Sequence, residues 1–176
     1  MTVGGGGSAA EPPPNRHDWR MGTDAEWLLR AIDLATANVA DGGGPFGAVV
    51  AAGGAVVGAG ANRVTASLDP TAHGEIVAMR DACLRTRDFS LAGATLYTSC
   101  EPCPMCLSAA LWARVDRVVY AADRHDAAAA GFDDAAFHGL LRTDDSGWPL
   151  VVEHLSVPEA SRPFDAWRAN EARIPY

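Results

Sequence analysis

Apolar and polar residues follow one another along this chain in patterns that predict first a helix and then a β-hairpin. Thr23 to Glu26 has the form of a capping box, and apolar residues then recur at helical spacing up to the glycines at 42–44. Two short apolar runs, at residues 46–52 and 55–61, are separated by a Gly-Gly pair. Such a pair between apolar runs is typical of a hairpin turn.

The rest of the chain shows strand and helix patterns in alternation. The pattern predicts strands at 95–98, 117–121 and 149–155, and helices at about 72–85, 104–113, 126–130 and 158–171. This order predicts a three-layer α/β/α sandwich, with helices on both faces of a sheet. Residues 1–22 are rich in glycine and proline and are predicted to be a disordered tail, so the folded part is predicted to be a single domain at 23–176.

Composition excludes some classes of protein. No apolar run approaches the roughly 20 residues of a membrane span, and no secretory signal is visible, so we expect a cytoplasmic protein without a membrane partner. The net charge is −8, and all 14 basic residues are arginines. Binding to nucleic acid depends largely on neutralising phosphates, so this acidic charge disfavours a nucleic-acid partner.

A histidine and two cysteines in the middle of the chain have the spacing of a metal site. His73 opens one predicted helix, and Cys103 and Cys106 open another, three residues apart and on one face. Imidazole and thiolate ligands suit tetrahedral zinc, and three protein ligands leave the fourth position for water. Glu75 is a carboxylate that can handle the protons of that water. The sequence therefore predicts a catalytic site with zinc as its cofactor.

Two other interpretations of the cysteines stay open. Cys100 and Cys103 are also three residues apart, so Cys100 could complete a structural site with four protein ligands. The cysteines would also suit an iron–sulfur cluster or a thiol redox centre. A structural zinc site leaves Glu75 and Pro102 without a role, which favours the catalytic interpretation.

Longer segments around these residues resemble a known superfamily. Residues 69–75 read DPTAHGE and residues 96–106 read LYTSCEPCPMC, and both are similar to the zinc deaminases of the cytidine deaminase-like superfamily. AGFDD at 130–134 and PFDAWR at 163–168 resemble bacterial guanine deaminases in particular. The resemblance covers about residues 24–176. It implies a central five-stranded mixed sheet, a homodimer, and the hydrolytic loss of an amine from a small nucleobase.

The resemblance also assigns catalytic roles to individual residues. It implies that His73, Cys103 and Cys106 hold zinc. Glu75 would carry protons between water and substrate, and Asp134 matches a second acid near the substrate. The implied reaction converts guanine to xanthine and ammonia.

Other matched residues are implied to contact the substrate. Phe46 would stack on the base, and the amide of Asn62 would read its edge. Trp112 would line the pocket across a dimer interface, and Tyr176 would close the site from a C-terminal segment that subunits can exchange. Gly74 stands where guanine deaminases of this type usually carry alanine, so we expect a slightly wider pocket.

Several rival functions share parts of this pattern. A deaminase of guanosine, cytosine or a triazine-like heterocycle would keep every zinc residue. A tRNA adenosine deaminase belongs to the same superfamily, but the acidic charge and the C-terminal features disfavour it. A non-catalytic interaction module stabilised by zinc would have no open coordination position.

Overall fold

The helices and strands follow closely the order that the sequence predicted. The computed structural model describes residues 23–143 and 148–175, so the tail predicted at 1–22 and the predicted contact of Tyr176 lie outside the described residues. The elements are α1 (Asp24–Ala40), β1 (Gly47–Ala52), β2 (Ala55–Ala61), α2 (Val64–Ser67), α3 (Gly74–Thr86), β3 (Thr95–Cys100), α4 (Pro104–Trp112), β4 (Arg117–Ala122), α5 (Arg124–Ala129), α6 (Asp134–Leu140), a 3₁₀ turn (Pro158–Ser161) and α7 (Arg162–Ala169). None of the described helices combines the length and the apolar character that crossing a membrane requires.

One mixed sheet of four strands forms in the described part of the chain, in the order β2-β1-β3-β4. β1 is antiparallel to both of its neighbours, and β3 is parallel to β4. The predicted α/β sandwich with a mixed sheet is confirmed, although the sheet has four strands where the resemblance implied five. The prediction of a strand at 149–155 is wrong for the single chain, because these residues are irregular and exposed. A strand forms only where a neighbour completes its backbone hydrogen bonds, and this segment pairs with no described strand.

Helices cover the two faces of the sheet and bury two separate clusters. On one face, Trp27 of α1 packs against Ala51 and Tyr97. On the other face, residues of α3 and α4 pack against Val50 and Leu96. Neighbouring residues of a strand point to opposite faces, so Val50 and Ala51 serve different layers. These contacts confirm the three-layer arrangement.

The residues predicted for the functional site lie at one edge of the sheet. Because β1 is antiparallel to β2 and β3, its first residue, Gly47, pairs with Ala61 at the end of β2. Phe46 and Asn62 therefore flank the same corner. The end of β3 leads into the segment that begins α4, and α3 begins at His73 beside it.

The C-terminal segment lies apart from the layers. Trp148 donates a hydrogen bond from Nε1 to the carbonyl of Leu140, at 3.1 Å. Every residue from 149 to 175 is exposed. The exposed side chains include large apolar ones: Leu150, Val151, Val152, Leu155, Phe164 and Ile174. This much apolar surface on one segment is characteristic of a surface that is covered in an assembly.

Candidate active site

The three predicted metal ligands meet at the edge of the sheet. His73 is the N-cap residue of α3, and Cys103 is the N-cap residue of α4. Pro104 occupies the first turn of α4, where its missing N–H would have had no helical partner. Cys106 lies within the same helix. The ligand atoms of His73, Cys103 and Cys106 all lie within 4.8 Å of one another.

The distances and the donor chemistry of this cluster fit zinc. The sulfur atoms of Cys103 and Cys106 are 3.6 Å apart, and Cys103 Sγ lies 3.6 Å from His73 Nδ1. Two sulfurs bound to one tetrahedral zinc would be about 3.8 Å apart. Cys100 is not part of this cluster, and its thiol donates a hydrogen bond to the carbonyl of Asp123, at 3.5 Å. The geometry therefore favours three protein ligands over the four of a structural site.

Hydrogen bonding within the cluster favours a thiolate at Cys103. Its pKa is lowered to about 4, first by the hydrogen bond with Cys106 and then by His73, against the opposing effect of burial. The same contact with Cys103 raises the pKa of His73. The pKa of Cys106 is raised, first by its contact with Cys103 and then by burial. A metal bound by His73, Cys103 and Cys106 would displace the protons that remain on these ligands.

A cavity of about 640 Å³ opens beside the cluster. Its lining includes six of the residues that the sequence singled out: Phe46, Asn62, His73, Glu75, Cys103 and Asp134. Phe132, Phe137 and Met105 add apolar surface. A concave site with apolar walls and a few convergent polar groups is the usual form of a pocket for a small molecule.

Glu75 is a buried carboxyl group in the lining of this cavity. It lies in the first turn of α3, two residues after His73, and only 6% of it is exposed. Burial raises the pKa of Glu75 to about 7. A carboxyl group that titrates near neutral pH can both accept and donate a proton, as a general acid–base catalyst must.

Two aromatic rings meet on one wall of the cavity. The rings of Phe46 and Phe132 pack edge to face, with their centroids 4.7 Å apart and their planes at 81°. Phe46 was predicted as a stacking residue. Phe132 was noted only as part of the AGFDD segment, and its contact with Phe46 was not foreseen. A pair in this geometry holds each ring more firmly than either would be held alone.

Asn62 lies at the corner next to Phe46. Its backbone N–H donates a hydrogen bond to the carbonyl of Phe46, at 2.9 Å. Its side-chain Oδ1 accepts a hydrogen bond from the backbone N–H of Val64, at 3.2 Å. Both the main chain and the amide plane of Asn62 are therefore oriented before any ligand arrives.

Asp134 approaches the cluster from a different part of the chain. It is the first residue of α6, it is half-buried, and it lines the cavity. Burial and the nearby thiolate of Cys103 raise the pKa of Asp134.

Polar contacts hold the α5–α6 region against the metal cluster. Arg124 binds Glu101 through two guanidinium nitrogens, one of which, Nε, lies 2.8 Å from Oε2. His138 Nε2 lies 3.2 Å from the carbonyl of Pro102. Ala127 is the one buried residue within α5 and α6. The positions of Phe132 and Asp134 therefore depend on contacts that sequence spacing does not reveal.

Two predicted substrate contacts, Trp112 and Gly74, are not among the residues that line the cavity. Trp112 is exposed at the end of α4, with the guanidinium of Arg114 5.9 Å from its ring centroid, and it does not line the cavity. Gly74 is buried, and a Cβ added there would lie 3.1 Å from the carbonyl oxygen of Phe46 and 3.2 Å from Gly47 Cα. A methyl group at this position would press on backbone, so the expected widening of the pocket does not follow.

The comparison of this sequence with protein families defines its class. Residues 21–122 match the cytidine and deoxycytidylate deaminase zinc-binding region. The protein belongs to this family of zinc-dependent deaminases, and zinc is the cofactor that the His–Cys–Cys cluster fits.

The chain is also similar to individual proteins within this family. The chain is 46% identical over 143 residues to guanine deaminase of Bacillus subtilis (strain 168), which covers 81% of this chain and 92% of that protein. The X-ray structure of guanine deaminase from Bacillus subtilis aligns with a TM-score of 0.84 and 43% identity, over 88% of this chain and 99% of that one. The N66A variant of NE0047 in complex with 8-azaguanine aligns with a TM-score of 0.65 and 30% identity, over 77% and 85%.

Proposed function

We propose that this protein hydrolyses guanine to xanthine and ammonia. The observation that carries the proposal is the buried carboxyl group of Glu75, which shares a cavity with the His–Cys–Cys cluster. Similarity to guanine deaminase over nearly the full length of that relative supports guanine as the substrate.

Residues at the corner of β1 and β2 would hold the base. The ring of Phe46, braced by Phe132, offers a flat apolar surface on which a purine can stack. Asn62 presents an amide at the cavity wall, and an amide can both donate to and accept from the edge of a purine. Together these residues would fix which carbon of the base faces the carboxyl group of Glu75.

Glu75 would carry protons from water to the products. Zinc held by His73, Cys103 and Cys106 would supply a Lewis acid that makes water nucleophilic near neutral pH. Glu75 would accept one proton from the attacking water and deliver it to the ring nitrogen next to the amine-bearing carbon. It would then help to protonate the departing amine, assisted by Asp134. The overall reaction is balanced, because guanine and water together give xanthine and ammonia.

A panel of amines tests the identity of the substrate. We expect the zinc-loaded protein to release ammonia from guanine at least a hundred times faster, in kcat/KM, than from guanosine, cytosine or a tRNA adenosine. The ring and the amide that Phe46 and Asn62 present to the cavity would hold a flat purine, whereas the acidic chain is poorly suited to tRNA. Faster release from any other member of the panel would reassign the substrate, and no release from any of them would remove the proposal.

We propose that the protein works as a homodimer in which the C-terminal segment of one copy covers the other. Residues 149–175 are exposed and rich in apolar side chains, and β4 is an edge strand of the sheet. Other large apolar side chains are also exposed, on α4 and β4 and on or just after α6: Leu111, Trp112, Tyr120, Phe137 and Leu141, of which the last two line the cavity. This arrangement would give residues 149–155 a strand partner and would let Trp112 and Tyr176 reach a site.

An aspartate introduced on α7 tests this assembly. Phe164 is 64% exposed, and an exchanged segment would bury it against the second copy. Phe164→Asp is therefore expected to shift the sedimentation coefficient from dimer to monomer and to lower kcat/KM at least tenfold. Ala166→Asp places the same charge elsewhere on α7 and is the matched control. A Phe164→Asp protein that stays dimeric and fully active would contradict the exchange.

We propose a reducing compartment, the cytoplasm, as the place of the reaction. All four cysteines are free, and two of them must stay reduced to hold zinc.

A further inference from the structure

Asn38 is a buried polar residue on an otherwise apolar helix face. The buried residues of α1 are Trp27, Ala31, Ala35 and Asn38. Asparagine is a poor helix former, and a buried amide destabilises the fold unless it is hydrogen-bonded. Asn38 does not line the cavity, so the proposed reaction leaves it without a role.

Both hydrogens of the Asn38 amide are used. Nδ2 donates to the carbonyl of Gly44 at 2.8 Å and to the carbonyl of Asn62 at 2.8 Å. Because both partners are acceptors, only the NH₂ group can satisfy them, and this fixes the orientation of the amide. A Cβ at Gly43 would lie 2.3 Å from Nδ2. Glycine at 43 is therefore what allows the amide to lie between the two segments.

The two carbonyls belong to the segments that carry the proposed base contacts. The Gly44 carbonyl also accepts a hydrogen bond from the backbone N–H of Phe46, at 2.9 Å. The backbone N–H of Asn62 in turn donates to the carbonyl of Phe46, at 2.9 Å. Asn38 thus lies behind a closed set of hydrogen bonds, with the Phe46 ring and the Asn62 amide on the cavity side.

We infer that Asn38 is a positioning residue that sets the spacing between the stacking ring of Phe46 and the base-reading amide of Asn62. It acts from 24 residues before Asn62 in the chain, on the opposite side of this corner from the substrate. The inference rests on the proposed function for its effect on turnover. The hydrogen bonds of Asn38 can be tested independently of the proposed function.

Asn38→Leu removes both donors and nearly keeps the shape of the side chain. We expect the KM for guanine to rise at least tenfold, with kcat within threefold and zinc content unchanged. The dissociation constant of 8-azaguanine, measured by calorimetry on the zinc-loaded protein, should rise by a similar factor. Trp27→Leu is the control, because it weakens the same helix against Tyr97, away from the corner. An equal rise in KM in the control would reduce Asn38 to a stabilising residue and overturn the inference.

A double mutant shows whether Asn38 acts through Asn62. If it does, Asn38→Leu should raise KM by less than twofold in an Asn62→Ala protein. Full additivity of the two effects on the free-energy scale would contradict the inference.

Hydrogen exchange gives a readout that needs no substrate. The protection factor of the backbone N–H of Asn62, which donates to the carbonyl of Phe46, should fall at least tenfold in Asn38→Leu. It should stay unchanged in Trp27→Leu. Unchanged protection in Asn38→Leu overturns the inference, even if the variant is less stable overall. If the wild-type protein neither binds 8-azaguanine nor deaminates guanine while the protection still falls, the proposed substrate has failed and the positioning role of Asn38 stands.

Discussion

Replacing Glu75 by glutamine is expected to lower kcat for guanine on the order of a thousandfold, within the range seen for loss of a general acid–base group. Glutamine keeps the size of the side chain but cannot exchange a proton. Glu75 is buried and its pKa is about 7, so at neutral pH it can take a proton from water and pass it on. Steady-state ammonia release measures the loss.

The control for this variant is another carboxylate of the same cavity. Asp133 also lines the cavity but is exposed, and its side chain makes no capping hydrogen bond to α6. Asp133→Asn is expected to keep more than a tenth of the activity, and both variants should keep one zinc per chain. Turnover above a tenth of the wild-type rate in zinc-loaded Glu75→Gln would remove this residue from the mechanism.

Replacing Cys106 by alanine is expected to abolish zinc binding and, with it, all turnover. Cys106 is completely buried, and its sulfur lies 3.6 Å from that of Cys103. Without it the ion keeps two of its three protein ligands. Metal analysis and ammonia release should fall together to background. A chelator should have the same effect on the wild-type protein, and added zinc should reverse it.

Stability provides an independent measurement of zinc binding. A ligand present at a hundred times its dissociation constant stabilises the folded state by about 2.7 kcal/mol. Zinc should therefore raise the melting temperature of the wild-type protein and leave that of Cys106→Ala unchanged. Cys83→Ala is the matched control, because Cys83 lies on α3 outside the cluster and should keep both zinc and activity. An active Cys106→Ala protein without zinc would rule out the metal site.

The pair of thiols in the metal cluster could be predicted because its determinants are local, whereas His73, 30 residues before Cys103, was found through its motif. His73 and Cys103 each precede a helix, and Cys106 lies three residues beyond Cys103, so short spacing alone brings the thiols together. The capping box at Thr23 is likewise a matter of three residues, and it is present in the fold. Chemistry that depends on neighbours in sequence can be read from the sequence.

The rest of the site depends on contacts between distant parts of the chain. Phe132 reaches Phe46 across 86 positions in the numbering, and no periodic pattern marks such a pair. Asn38 appears in the sequence only as a polar residue near the end of a helix. The alternation at 149–155 resembles that of a strand, yet a pattern cannot say which sheet, or which copy of the chain, would accept it.

If the exposed C-terminal segment covers a second copy, as proposed above, the activity of each chain depends on how many chains are present. If a copy completes the site of its partner, two chains must associate before either site can bind and convert the substrate. Diluting the protein below the dissociation constant of the dimer would then lower the turnover of each chain, and a small rise in abundance near that concentration would increase total activity more than proportionally. The amount of protein in the cell would thereby act as a control on the reaction.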